Sequence, residues 1–150
     1  LVEVVNKVVK KGTPFLGICL GYQLLFEYSS EGGKKTEGLG IFKGGVERFP
    51  ENIKLKVPHM GWNCLKSLKG DSLTRDIENN PYVYFVHSYF PHVTDTSIVA
   101  AVSDYGVQFD AAVECNNILA TQFHPEKSGK VGLQILKNWT LKVENNRIGK

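Results

Sequence analysis

One cysteine sits between two glycines in Gly17-Ile18-Cys19-Leu20-Gly21-Tyr22-Gln23, after a short apolar run and before residues at helical spacing. That is the pattern of a nucleophile elbow. A residue on so sharp a turn is held at the end of a strand with its side chain open to a reactant, and flanking glycines let the backbone pass where a Cβ would clash. A helix starting directly behind the sulfur favours thiolate. Cys19 is therefore expected to ionise below the free-thiol reference of about 8.5, with the Leu20 N–H facing a developing oxyanion. A lone cysteine is more often a buried hydrophobe, so the elbow by itself does not decide the chemistry. A second segment, Phe123-His124-Pro125-Glu126, offers what a thiol nucleophile lacks. His124 can take and return a proton, Glu126 can hold the ring and balance its charge, and Pro125 fixes the backbone between them. His59 and His92 read as core or surface groups with no chemical role.

Cys19 and His124 lie far apart in the chain, so strands must carry them to one place. Thr13 to Ile18 reads as a short buried parallel strand that delivers Cys19 at its carboxyl end. Leu20 to Tyr28 reads as a helix with Leu24, Leu25 and Tyr28 on one face, ended by a surface loop over Glu31 to Lys35. Ahead of the strand, Leu1, Val4, Val5 and Val8 follow the helical period up to Lys10-Lys11-Gly12, where basic residues and a left-handed glycine suit a helix end. From Leu39 to Val113 the pattern is β-rich, clearest at Gly44 to Phe49, Tyr82 to Val86 and Ile98 to Val102. Phe109 to Glu114 and Ile118 to Phe123 flank Asn116-Asn117, a pair suited to a tight hairpin turn, and that hairpin leads to His124. Val131 to Trp139 is a further helix, and the tail beyond Trp139 shows little pattern. Together these elements predict an α/β layered domain with a mixed, partly parallel sheet.

The 150 residues suffice for one domain over 1–150. With 42% hydrophobic and 22% charged residues the chain has globular composition, and its net charge of +3 is scattered rather than clustered, which gives no support to nucleic-acid or membrane binding. Three cysteines without C-x-x-C spacing indicate neither a disulfide framework nor a zinc site, and a reducing, cytoplasmic setting is expected. No metal or organic cofactor is called for.

The elbow Gly17-Ile18-Cys19-Leu20-Gly21-Tyr22-Gln23, taken with His124-Pro125-Glu126, resembles the class I glutamine amidotransferases, which use Cys, His and Glu in that chain order. Within the class, Pro58-His59-Met60-Gly61-Trp62-Asn63, Tyr84-Phe85-Val86-His87-Ser88-Tyr89 and Gln122 to Ser128 look like the glutaminase subunit of imidazole glycerol phosphate synthase, of histidine biosynthesis. The resemblance implies a catalytic triad of Cys19, His124 and Glu126 that hydrolyses glutamine to glutamate and ammonia. It implies glutamine binding by Leu20, Gln23, Glu31, His87, Ser88 and Tyr89, with Glu31 pairing to the α-ammonium group. It also implies a (β/α)₈-barrel cyclase partner, as a separate subunit or a fused domain, facing Met60, Trp62, Asn63, Tyr84 and Lys127. Trp62, preceded by Gly61, reads as a turn residue able to anchor an interface.

The family domain opens with a strand and a glycine-rich loop that completes the oxyanion hole. Neither is present here, and the first helix starts at Leu1 without a capping residue or initiator Met. The expectation is a domain cut at its N-terminus, lacking its first strands, whose isolated 150 residues have weak or no glutaminase activity. Two alternatives remain open at this point. One is the amidotransferase subunit of another synthase, for anthranilate, guanylate or pyridoxal phosphate. The other is a non-catalytic interaction module of the same fold.

Overall fold

The computed structural model describes residues 1–149. In chain order the helices and strands are α1 (Val2–Lys10), β1 (Phe15–Ile18), α2 (Leu20–Gln23), β2 (Tyr28–Ser29), β3 (Thr36–Glu37), β4 (Gly44–Arg48), β5 (His59–Cys64), α3 (Asp71–Thr74), β6 (Tyr82–His87), β7 (Tyr89–Val93), β8 (Val99–Asp104), β9 (Gln108–Cys115), β10 (Ile118–Thr121) and α4 (Gly129–Ile148). Short 3₁₀ turns fill several of the connections, including Pro125–Lys127 directly after His124.

The strands form a mixed architecture in three pieces. One sheet has the order β1-β10-β9-β8, in which β1 runs parallel to β10 and the remaining pairs are antiparallel. A second has the order β3-β2-β4-β7, with β2 parallel to β4. The third is the antiparallel pair β5–β6. The β9–β10 hairpin turns at Asn116, whose φ of 51° is one that asparagine tolerates better than most residues. The expected α/β domain with a partly parallel sheet is thus present.

Two apolar clusters hold these layers. Phe49, Phe85, Phe90, Phe109 and Phe123 pack against Leu119 and against Ile135 and Trp139 of α4, with several ring pairs edge to face. Each such fully buried ring contributes about 1.5–3 kcal/mol relative to exposure. Tyr22, Leu25, Phe26, Val46 and Ile118 form the second cluster beneath α1 and α2.

Three predicted elements differ from the observed ones. The helix after Cys19 closes at Gln23 rather than Tyr28, because the carbonyls of Leu24, Leu25 and Phe26 accept bonds from the N–H groups of Leu39, Ile41, Phe42 and Gly40 instead of extending the ladder. In α1 the buried residue is Val9, with Val5 packed beside it, whereas Leu1, Val4 and Val8 are exposed. The C-terminal helix continues past Trp139 to Ile148. Val143 packs on the core there, and the Lys142 ammonium meets the buried Glu114 carboxylate at 2.8 Å. Among the described residues no helix is long and apolar enough to cross a membrane.

Candidate active site

Cys19 occupies the turn between β1 and α2 with φ 51° and ψ −102°, a conformation that costs a non-glycine residue about 1–3 kcal/mol. Its neighbours hold it there. Cys19 N–H donates to Thr121 O at 2.8 Å, and its carbonyl accepts from Tyr22 and Gln23 N–H at 3.1 Å each. Gly17 is required at the close approach of strand and turn, since a Cβ there would sit 2.8 Å from the Gly21 carbonyl oxygen. Gly21 is not required in that way, because a Cβ on it would meet open space. Only one of the two flanking glycines has the predicted steric role.

The thiol also departs from expectation. Its pKa is raised, first by burial, which outweighs the Leu20 N–H and the Gln122 amide that favour thiolate, while Glu126 and Glu31 push it further up. A helix of one turn has too little aligned dipole to reverse this. At rest the Cys19 S–H points to Val86 O of β6, 3.8 Å away.

His124 follows β10 and caps the 3₁₀ turn that carries Glu126. Its N–H donates to Tyr84 O at 2.9 Å, and its carbonyl accepts from Ser128 Oγ, which in turn accepts from Tyr84 N–H. The turn is thereby stitched to β6. In the ring, Nδ1 lies 2.7 Å from Glu126 Oε1. An ionised carboxylate only accepts, so Nδ1 carries the hydrogen and Nε2 presents a lone pair. That Nε2 is buried and has no hydrogen-bond partner among the described residues. The site therefore pairs a sulfur of raised pKa with an unoccupied base, both ordered against β6 and not bonded to each other.

Beside the elbow lies a cavity of about 260 Å³, bordered by Leu20, Gln23, Leu24, Tyr28, Glu31 and Glu37 among others. Leu20, Gln23 and Glu31 thus share one wall, and the carboxylates of Glu31 and Glu37 suit an ammonium-bearing ligand of small size. Gln23 Nε2 is committed to Tyr89 O at 3.0 Å and Gln122 Oε1 at 3.2 Å, which leaves its own carbonyl oxygen for a ligand. His87 differs from expectation. Its ring is buried, with Nδ1 on Tyr89 O and Nε2 on His59, so neither nitrogen is free to meet glutamine. Ser88 and Tyr89 are half-buried next to it, and Ser88 O accepts from Phe49 N–H.

The residues expected to face a partner divide by strand alternation. Met60 and Trp62 of β5 are exposed at 62% and 57%, and Trp62 meets Tyr84 edge to face with centroids 6.0 Å apart. Trp62 lies within the strand rather than on a turn, and Lys127 is exposed on the 3₁₀ turn. Asn63 corrects the sequence reading. Its side chain turns inward, donating to Asp104 O at 2.8 Å and contacting His59 Nε2 at 3.2 Å. His59 is buried as predicted, and His92 is exposed and pairs with Glu47.

Sequence reasoning passed over Gln122. It is fully buried, and its amide nitrogen lies 3.6 Å from Cys19 Sγ. It stands in the segment that carries His124, yet a single amide has no chemical signature until its neighbour is known.

The profile of the family described as glutamine amidotransferase class-I matches residues 1–143. Curated relatives include proteins named imidazole glycerol phosphate synthase subunit HisH. The one from Caldanaerobacter subterraneus subsp. tengcongensis is 52% identical over 131 residues, which is 87% of this chain and 63% of that protein. The one from Thermosynechococcus vestitus is 50% identical, over 97% of this chain and 69% of that protein. The one from Methanocaldococcus jannaschii is 49% identical, over 93% and 69%. Among solved structures, PurLQS from Thermotoga maritima matches 95% of the chain and 68% of its own with a TM-score of 0.70 at 19% identity. A glutamine amidotransferase of the same organism matches 98% and 55% with a TM-score of 0.62 at 18% identity. These structures share the fold.

Proposed function

This chain belongs to the class I glutamine amidotransferases, and from that premise we propose that it hydrolyses glutamine to glutamate and ammonia as the glutaminase subunit of imidazole glycerol phosphate synthase. The relatives at about 50% identity carry that subunit's name, and the chain spans 63% to 69% of their length. The single observation that carries the chemistry is the unoccupied, buried Nε2 of an imidazole fixed through Nδ1 by Glu126, at the same end of the β1–β10 pair as the strained Cys19.

His124 Nε2 takes the thiol proton as Cys19 Sγ attacks the side-chain carbonyl carbon of glutamine. The C=O electron pair moves to oxygen, where the Leu20 N–H, which favours the thiolate at rest, is the nearest backbone donor of the elbow to answer it. The imidazolium then gives its Nε2 proton to the departing nitrogen, which leaves as ammonia, and a glutamyl thioester remains. Water, deprotonated by Nε2, attacks the thioester; the C–S bond breaks, glutamate departs and the thiol is regenerated. Glu126 holds the ring in one tautomer through both halves. Burial raises the Cys19 pKa, and His124 Nε2 is the base that draws off its proton as the acceptor carbon arrives. No step calls for a metal or organic cofactor.

The ammonia would pass to a (β/α)₈-barrel cyclase of histidine biosynthesis, docked on the exposed face of β5–β6 with Trp62 as anchor, Met60 and Tyr84 beside it and Lys127 at the rim. In the full chain, assembled with its cyclase, Cys19→Ala is expected to abolish glutamine-dependent synthesis while ammonia-dependent synthesis persists. A glutamine-analogue electrophile is expected to label Cys19 ahead of Cys64 and Cys115, although all three thiols are similarly half-buried. Glutamine turnover by the alanine variant would sink the assignment, and equal labelling of the three thiols would favour a binding module.

A further inference from the structure

Behind the site lies a run of polar groups that the hydrolysis itself does not use. On the inner face of the β5–β6 pair, His59 and His87 are paired in register, and His59 Nδ1 lies 2.9 Å from His87 Nε2. The direction of this bond is fixed independently from both ends. At one end Tyr89 O can only accept, so His87 Nδ1, at 2.9 Å, carries a hydrogen and His87 Nε2 is an acceptor. At the other, Asn63 Oδ1 accepts from Cys64 N–H at 2.7 Å and its Nδ2 donates to Asp104 O. The second hydrogen of that Nδ2 therefore meets His59 Nε2, 3.2 Å away, as an acceptor. Both ends demand the same tautomers, with His59 Nδ1–H donating to His87 Nε2.

Both rings are neutral. Burial lowers His59 from its ordinary 6.5 to about 4 and His87 to about 3. His59 is stacked between Phe85 and Tyr105, with ring centroids at 4.8 and 4.0 Å, so it has little freedom to turn.

The run does not stop at Tyr89. Its carbonyl oxygen also accepts from Gln23 Nε2, whose second hydrogen goes to Gln122 Oε1. That bond fixes which end of the Gln122 amide faces Cys19, and Gln122 Nε2 lies 3.6 Å from the sulfur. Hydrogen-bonded groups are therefore continuous from Asn63, on the strand whose outer face carries Met60 and Trp62, to the nucleophile.

We propose that the His59–His87 pair is a positioning device for the glutaminase site: it transmits the seating of the β5–β6 strand pair through Tyr89 O and Gln23 to the Gln122 amide that orients and stabilises the Cys19 sulfur. This rests on the reading of Cys19 as nucleophile. A shift of β5, as docking on its outer face would impose, moves Asn63 and His59 together, and the effect is felt at the sulfur without any contact between partner and substrate.

The test uses three variants in the full chain. His59→Phe keeps the aromatic stack but removes both hydrogen-bonding nitrogens. His59→Asn restores a donor at the Nδ1 position. Asn63→Ala releases the tautomer lock from the half-buried end. Two quantities are read: kcat against KM for glutamine in the complex with the cyclase, and the pH profile of Cys19 alkylation by iodoacetamide in the free chain. Glu126 and Glu31, which also face the sulfur, are untouched, so a shift in that profile reports the Gln122 donor.

His59→Phe is expected to lower kcat about tenfold with little change in KM, and to move the alkylation midpoint to higher pH. His59→Asn should recover most of both, and Asn63→Ala should lower kcat a few-fold in the same sense. A folded His59→Phe protein with unchanged kcat and unchanged profile overturns the proposal, as do equal losses in His59→Phe and His59→Asn. Should His59→Phe fail to fold, an unchanged profile in Asn63→Ala has the same force. Cys19→Ala separates the two readings: glutamine hydrolysis by that variant defeats the nucleophile assignment itself, whereas its loss beside normal His59 variants defeats only the relay.

Discussion

Cys19 and His124 leave the same end of one parallel strand pair, yet their side chains rest in opposite conditions. The imidazole is finished. Its Nδ1 is pinned to Glu126 at 2.7 Å, its backbone is stitched to β6, and its Nε2 waits without a partner. The sulfur is held back. It sits on strained backbone with its pKa raised by burial and its hydrogen turned toward Val86 O. A thiolate formed in advance would be open to oxidation and alkylation in the absence of glutamine. Placing the readiness in the base instead ties ionisation of the nucleophile to arrival of the acceptor carbon.

The contrast can be broken from the base side first. Glu126→Gln replaces a pure acceptor with a group that can also donate, so His124 can adopt either tautomer and its cation loses a counter-charge. Glutamine hydrolysis is expected to fall by about a hundredfold with KM little changed. A loss below about twofold in steady-state kinetics would mean that Glu126 does not orient the ring.

On the sulfur side, the backbone can be tested without touching the thiol. Gly17→Ala drives a Cβ to 2.8 Å from the Gly21 carbonyl oxygen, where neither backbone can yield cheaply. A destabilisation of about 1–3 kcal/mol is expected in urea melts of the full chain. Gly21→Ala meets open space and should change stability by under about 0.5 kcal/mol. Equal effects of the two would contradict the asymmetry of the elbow.

The smallest effect concerns the resting thiol. A raised pKa means that the reactive thiolate is scarce at neutral pH and grows about tenfold per pH unit until the raised value is reached. Alkylation of Cys19 by iodoacetamide in the free chain should therefore reach its midpoint at higher pH than free cysteine does. A midpoint below that of free cysteine would show the sulfur to be activated in advance, and the two halves of the site would no longer differ.

Much of this site was legible in the amino-acid sequence because its most constrained positions demand particular residue types. The elbow needs a glycine at Gly17, and the base needs a carboxylate two residues on, as in His124-Pro125-Glu126. The β9–β10 hairpin could be read because Asn116 must adopt positive φ. Other features depend on groups distant in sequence. The helix after Cys19 is short because the 39–42 loop takes the carbonyls that follow it, and the last helix runs on past Trp139 where Val143 packs on the core and Lys142 meets Glu114. The sign of the Cys19 shift is hidden for the same reason, since it is set by burial rather than by the local turn. Asn63 turns away from the face of Met60 and Trp62 because its partners, His59 and Asp104 O, are not visible in the local sequence. Gln122, His59 and His87 carry no periodicity that distinguishes a polar relay from ordinary core, and only their mutual geometry does so.

The parallel pairing of Phe15–Ile18 with Ile118–Thr121 has one more implication. These four rungs act as a gauge: Cys19 follows the last of them directly and His124 three residues on, so this ladder, with the β6 backbone that both groups lean on, meters the gap between sulfur and imidazole. Insertions or breathing in the intervening segments outside β5 and β6 can redraw the outer surface and leave the gauge unchanged, whereas a slip of one rung would offset the pair by about 3.3 Å and silence it.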